Sequence, residues 1–184
     1  VLVGQRRVGK SCLLLQVMDA VRGKAIPESR IIFINKELHE FEHIQNHRDL
    51  LQYVSQKGPT SGRAYVFIDE VQEITQFEKG LRSMQASGRY DIYCTGSNAQ
   101  LLSGELATTL SGRCVEIKVF GLSYAEFLKF HKMVDGPDAF AKYIRYGGLP
   151  YLANLKLEDD VAYEYLRNIY GAILLKDIVA RHGV

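Results

Sequence analysis

Cysteine is scarce in this chain. The three present, Cys12, Cys94 and Cys114, are an odd number and form no CxxC pair, which argues against a disulfide framework or a zinc ribbon. A reducing, cytoplasmic setting fits that usage. No apolar run approaches the length of a membrane span, and no signal peptide opens the chain, so no membrane partner is expected. An excess of one charge is missing too. Lys and Arg number 23 against 21 Asp and Glu, a formal net charge of +2, too weak by itself to argue for nucleic acid or an anionic membrane. Repeats and low-complexity segments are absent. What is present is 184 residues with 47% hydrophobic side chains, enough to bury one good core, or a main domain plus a small appendage. Val1 already lies inside a strand-like run and the last residues follow a helical pattern without a stop signal, as expected of a segment trimmed at both ends.

Hydrophobic periodicity alternates between strand and helix. After an opening strand, Leu13, Leu14, Val17, Met18 and Val21 recur at helical spacing, with Gly23 placed to end the helix. "RIIFIN" (30–35), "AYVFIDE" (64–70) and "YDIYCTGSN" (90–98) read as buried strands. Between them, one helix carries Leu50, Leu51 and Val54 and ends near Gly58, and a second carries Phe77, Leu81 and Met84, opened by a Thr75–Glu78 capping box and stopped by Gly88. "CVEIKVF" (114–120) alternates Val115, Ile117 and Val119 with Glu116 and Lys118, the period of a half-exposed strand at a sheet edge. From Ser123 the pattern turns helical: Ser123 and Glu126 form a capping box, "YGGLP" (146–150) breaks the chain, and 159–178 is amphipathic. Such alternation predicts an α/β fold, a parallel sheet covered on both faces, followed by helices.

The first strand is joined to the first helix by "GQRRVGKS", which satisfies G-x-x-x-x-G-K-[ST] in the strand–loop–helix context that a phosphate loop requires. Its glycines let the backbone turn and aim N–H groups inward, the helix N-terminus adds partial positive charge, and Lys10 adds a full one. The binding segment is therefore Gly4, Gln5, Arg6, Arg7, Val8, Gly9, Lys10, Ser11 and Cys12, with Arg6 and Arg7 expected to face solvent or a partner and the Ser11 hydroxyl placed for a magnesium ion.

Two further strand ends carry polar groups. "YVFIDE" ends in Asp69 and Glu70, and the carboxyl ends of parallel strands are where site residues gather. Asp69 is suited to hold magnesium through a water and Glu70 to deprotonate an attacking water. "YDIYCTGSN" ends in Thr95, Ser97 and Asn98, any of which can reach a terminal phosphate or the water; an ordinary turn is the alternative. Arg113, in "LSGR", is either a finger on transition-state charge or a surface charge.

Together these residues resemble the AAA+ ATPases, in particular the bacterial and archaeal group whose members usually continue into a C-terminal domain of unassigned function. "GQRRVGKS" looks like the Walker A segment, "YVFIDEVQ" the Walker B segment and "TGSN" the sensor 1 strand end; "LLSGELATTLSGR", "LSYAEFL", "YGGLP" and "LLKDIVARHGV" are similar to later segments. The resemblance implies a five-stranded P-loop core over 1–120 with an extra strand between the Walker strands, then a helical lid and the start of a truncated region over 121–184. It implies that Gly9, Lys10 and Ser11 bind phosphate and magnesium, that Asp69 and Glu70 serve metal and water, and that Ser97 or Asn98 senses phosphate. Gly121 stands where the group commonly has proline, implying a looser entry to the lid.

Two other motifs compete. "NKEL" (35–38) begins like the base-reading N-K-x-D of GTPases, but Leu38 replaces the aspartate and Gln72 stands where D-x-x-G needs glycine. "HEFEH" places His39, Glu40 and His43 in the H-E-x-x-H spacing of zinc proteases, with His47 one turn further, yet the segment has almost no apolar face and reads as a solvated connection. The sequence is therefore read as an ATPase that uses ATP and Mg2+ to move a partner domain or macromolecule, DNA or another protein, with a homo-oligomer as a further expectation. The alternative is a slow-turnover, nucleotide-dependent switch.

Overall fold

The structure is a computed structural model, and it describes residues 1–96 and 114–173. Five strands, β1 (Leu2–Val3), β2 (Ile31–Asn35), β3 (Ala64–Asp69), β4 (Tyr90–Gly96) and β5 (Ile117–Lys118), form one sheet in the order β2-β3-β4-β1-β5. Every pairing is parallel. The helices are α1 (Lys10–Arg22), α2 (His47–Lys57), α3 (Phe77–Ala86), α4 (Tyr124–His131), α5 (Pro137–Tyr146) and α6 (Asp159–Ile173). Contacts divide the chain into two compact units: Val1–Gly4 with Lys10–Val119, and Gln5–Gly9 with the segment from Phe120 onward.

In the sheet unit, alternation along β2, β3 and β4 sends side chains to two separate cores. Ile32 and Ile34 of β2 and Val66 and Ile68 of β3 pack with Leu50, Val54, Leu81 and Met84 of α2 and α3. On the other face Phe67 packs with Leu14, Met18 and Val21 of α1, and its ring stacks on Tyr93 at 4.8 Å between centroids. β4 lies between β1 and β3, with Leu2 opposite Thr95 and Ile68 opposite Cys94. That register levels the carboxyl ends of β1, β3 and β4, and so sets Asp69 and Thr95 side by side.

Two sequence expectations are corrected here. Thr75 does not cap α3. Its N–H donates to the Gln45 carbonyl at 2.8 Å and its carbonyl accepts from His47 N–H at 3.1 Å, a bridge to Asn46 that occupies its backbone and delays the helix to Phe77, with Gln76 as an N-cap that makes no side-chain bond. The strand β5 does lie at the sheet edge as its alternation predicts, but it pairs with β1 over only two residues and both are exposed, with Ile117 54% accessible. Its alternation therefore marks no buried face among the described residues.

In the helical unit, the Ser123–Glu126 capping box opens α4 as its spacing predicts, with Ser123 N–H donating to the Glu126 carboxylate at 2.8 Å. Tyr146, Leu152 and Ala162 form a small core joined by Leu149, Tyr163 and Leu166. The Tyr146 hydroxyl and the Arg145 guanidinium both donate to Asp159 at the start of α6. Among the described residues no helix is long and apolar enough to cross a membrane.

Candidate functional site

The loop from Gly4 to Gly9 leaves β1 at the carboxyl edge of the sheet and ends where α1 begins at Lys10. Its two glycines take conformations that L-residues rarely adopt. Gly4 has φ 159° with the Val119 carbonyl oxygen standing where a Cβ would lie, and Gly9 has φ 98°. Arg7, at φ 70°, is a non-glycine residue in the left-handed region, a sign of a turn held by its surroundings. Val8 is buried, so within this segment it can offer a ligand only its backbone. Gln5, Arg7 and Cys12 are exposed, whereas Arg6 is half-buried instead of facing solvent. Lys10 is 4% exposed, although it opens a helix whose N–H groups already make that end positive.

At the second residue of α1, the Ser11 hydroxyl donates to Asp69 Oδ1 at 3.0 Å. The Thr95 hydroxyl donates to the same oxygen and accepts the Glu70 N–H at 3.0 Å. Thr95 thus ties the end of β4 to both acidic residues at the end of β3, and it is wholly buried, as Asp69 nearly is. Both hydroxyl bonds fall on Oδ1 and none on Oδ2. A buried carboxylate whose second oxygen takes no hydroxyl bond among the described residues, beside a serine hydroxyl, is an oxygen donor set of the kind magnesium takes together with phosphate and water, so these residues fit the ion that the sequence implies. Glu70 follows with φ 56° and ψ 54°, again left-handed, and its carboxylate accepts a bond from the Gln72 amide.

The competing motifs have structural employment. Lys36 of "NKEL" donates to the carbonyls of Phe41 at 2.6 Å and Ile44 at 2.8 Å, and burial pushes its pKa down. Asn35 accepts the Glu37 N–H at 2.9 Å. "HEFEH" forms only a three-residue 3-10 turn, His39–Phe41, with Phe41 buried, so its histidines do not line one helical face. His39 instead meets Glu42 at 2.7 Å. Among the described residues no group of three or more His, Cys, Asp or Glu side chains could hold a metal ion.

A family model described as "AAA domain" matches residues 1–128. The chain belongs to that family. This AAA domain is 39% identical to an uncharacterized protein of Haemophilus influenzae, an alignment covering all of this chain and 47% of the relative. It is 28% identical to an uncharacterized protein of Methanocaldococcus jannaschii, again over the whole chain and 42% of the relative. The chain therefore spans about half the length of the curated relatives it matches. Among solved structures it resembles a DNA polymerase III gamma subunit-related protein from Thermotoga maritima, with a TM-score of 0.50 and 14% identity over 93% of this chain and 52% of the other. That likeness shows the fold: a P-loop α/β domain with a five-stranded parallel sheet.

Of the sequence-derived candidates in the AAA domain, the structure brings Ser11, Asp69 and Glu70 into one hydrogen-bonded cluster. Ser97, Asn98 and Arg113 lie outside the described residues. Thr95 had been only one of three polar residues at a strand end. Its centrality comes from the β3–β4 register, which no spacing along the chain displays. Gln72 had drawn notice only as a departure from a GTPase motif.

Proposed function

We propose that this AAA domain binds ATP with magnesium and hydrolyses it, driving a conformational change in a partner domain or macromolecule. The observation that carries the reading is the Ser11–Asp69–Thr95 cluster at the N-terminus of α1, directly after a loop of the phosphate-binding pattern. The backbone N–H groups around Gly9 and the Lys10 ammonium would hold the β- and γ-phosphates. Ser11 Oγ and Asp69 would hold the magnesium, which when bound neutralises charge on the transferred phosphoryl group. Glu70 would accept the proton of the attacking water, and the Thr95 bond to its N–H fixes the backbone that carries it. Adenine as the base, DNA or another protein as partner, and assembly of several copies belong to the same proposal. Free thiols at Cys12, Cys94 and Cys114 support a cytoplasmic setting.

The test is Glu70→Gln. The amide keeps the shape of the side chain and removes the base, so ATP should still bind with its ordinary affinity while turnover falls by about 10² or more. Affinity by titration calorimetry and phosphate release in the same preparation separate the two. Equal hydrolysis rates would instead favour a switch in which nucleotide binding alone changes the conformation.

A further inference from the structure

Glu70 is fixed at its backbone from several sides. Its left-handed φ of 56° is held by the Thr95 bond to its N–H, by a 3.1 Å bond from Glu73 N–H to its carbonyl, and by the wholly buried Val71 that follows. A left-handed non-glycine residue directs its side chain along a path that ordinary strand continuation would not give. What the backbone leaves open is the rotation of the side chain itself. One neighbour on the same turn acts on that rotation: Gln72 Nε2 donates to Glu70 Oε2. The other end of the same amide, Gln72 Oε1, is buried and has no hydrogen-bond partner among the described residues.

That asymmetry is informative. An ionised carboxylate can only accept, so the amide must present its NH2 group to Glu70, and reversing it would set oxygen against oxygen. A buried carbonyl left unsatisfied is costly, and the bond from the other end of the amide to the carboxylate offsets that cost. Gln72 is not needed to build the turn, since Ile74 N–H donates to the Val71 carbonyl at 3.1 Å and both residues are core. We propose that Gln72 is a positioning residue for Glu70, its amide holding one carboxylate oxygen so that the side chain presents a single orientation to the attacking water. This rests on the reading of Glu70 as general base. Gln72 is not among the residues read as holding nucleotide or metal, so its loss should act on the chemical step and spare binding.

Gln72→Met keeps side-chain length and removes the donor. In the full chain, kcat for ATP hydrolysis should fall about tenfold, the range expected when a group orienting a reacting side chain is lost, while the affinity for ATP with magnesium stays within about twofold. Added to Glu70→Gln, it should lower the residual rate no further, because the group it orients is already gone. Should the methionine protein show an altered circular dichroism spectrum, Gln72→Leu, also uncharged and without a donor, carries the same expectation. An unchanged or raised kcat, or a full additional tenfold loss on the Glu70→Gln background, overturns the positioning role while leaving Glu70 as base. Undiminished turnover in Glu70→Gln alone overturns the base itself.

Discussion

Thr95 has the most consequential hydroxyl among the described residues. It is wholly buried, donates to Asp69 and accepts from Glu70 N–H, so one oxygen sets the positions of a carboxylate suited to metal and of the residue after it. Thr95→Val preserves the branched shape and deletes the hydroxyl. It leaves a buried N–H without its acceptor, a loss of about 1–3 kcal/mol, and leaves Asp69 Oδ1 with the Ser11 bond alone. Urea denaturation should show a stability loss of that size, and magnesium-dependent ATP hydrolysis should fall more than nucleotide affinity does. A Thr95→Val protein with wild-type stability and turnover would mean that the hydroxyl is dispensable. Ser11 and Asp69 were readable as site residues because each ends or begins a recognisable segment. Thr95 was not separable from its polar neighbours, since hydrogen bonding across strands depends on register.

At the scale of elements, the approach of "GLS" to "GGLP" decides how the helical unit begins. Leu122 N–H donates to the Gly148 carbonyl at 2.6 Å. A Cβ on Gly121 would lie 3.0 Å from that same carbonyl oxygen, and one on Gly148 would collide with the Leu122 carbonyl oxygen and stand 2.9 Å from its nitrogen. The entry to these helices is therefore close-packed backbone on backbone, and Gly121 serves that approach; it does not loosen the segment. Gly148→Ala forces backbone atoms apart and should destabilise the protein by about 1–3 kcal/mol. Gly171, inside α6 with nothing within 4 Å of its Cβ position, should respond in the opposite sense, Gly171→Ala gaining about 0.5–1 kcal/mol from helix propensity. Denaturant titrations of the two variants check the pair of signs. Equal effects would show that the unit does not depend on this close approach.

For the whole molecule, nucleotide binding is linked to stability. A ligand that binds only the folded chain at 100 times its dissociation constant adds about 2.7 kcal/mol, which in a protein of this length raises Tm by about 5–10 °C. ATP with magnesium should produce that rise in differential scanning calorimetry, and Lys10→Ala, which removes the cation at the start of α1, should abolish it without lowering the melting temperature of the ligand-free protein. The same rise in the variant would remove the phosphate-loop assignment, because Lys10 is the cation that the reading places on the β- and γ-phosphates.

Much of this architecture is determined by local sequence. The strands β2, β3 and β4 are short apolar runs bounded by turn residues, α1, α2 and α6 carry helical periodicity, and the phosphate-loop pattern is contiguous, so each is specified by residues near one another in the chain. The Ser123–Glu126 cap is legible for the same reason. Where distant segments compete for a backbone group, local rules fail: the bridge from Thr75 to Asn46 overrides a capping box, and two-residue pairing leaves β5 exposed on both sides. The sheet order, the convergence of Ser11 and Thr95 on one oxygen of Asp69, the left-handed turn at Glu70 and the grip of Gln72 on its carboxylate were decided only by tertiary structure. Periodicity says which faces of an element are apolar. Which strand lies beside which, and at what register, is set by long-range packing, and this site is assembled across those pairings.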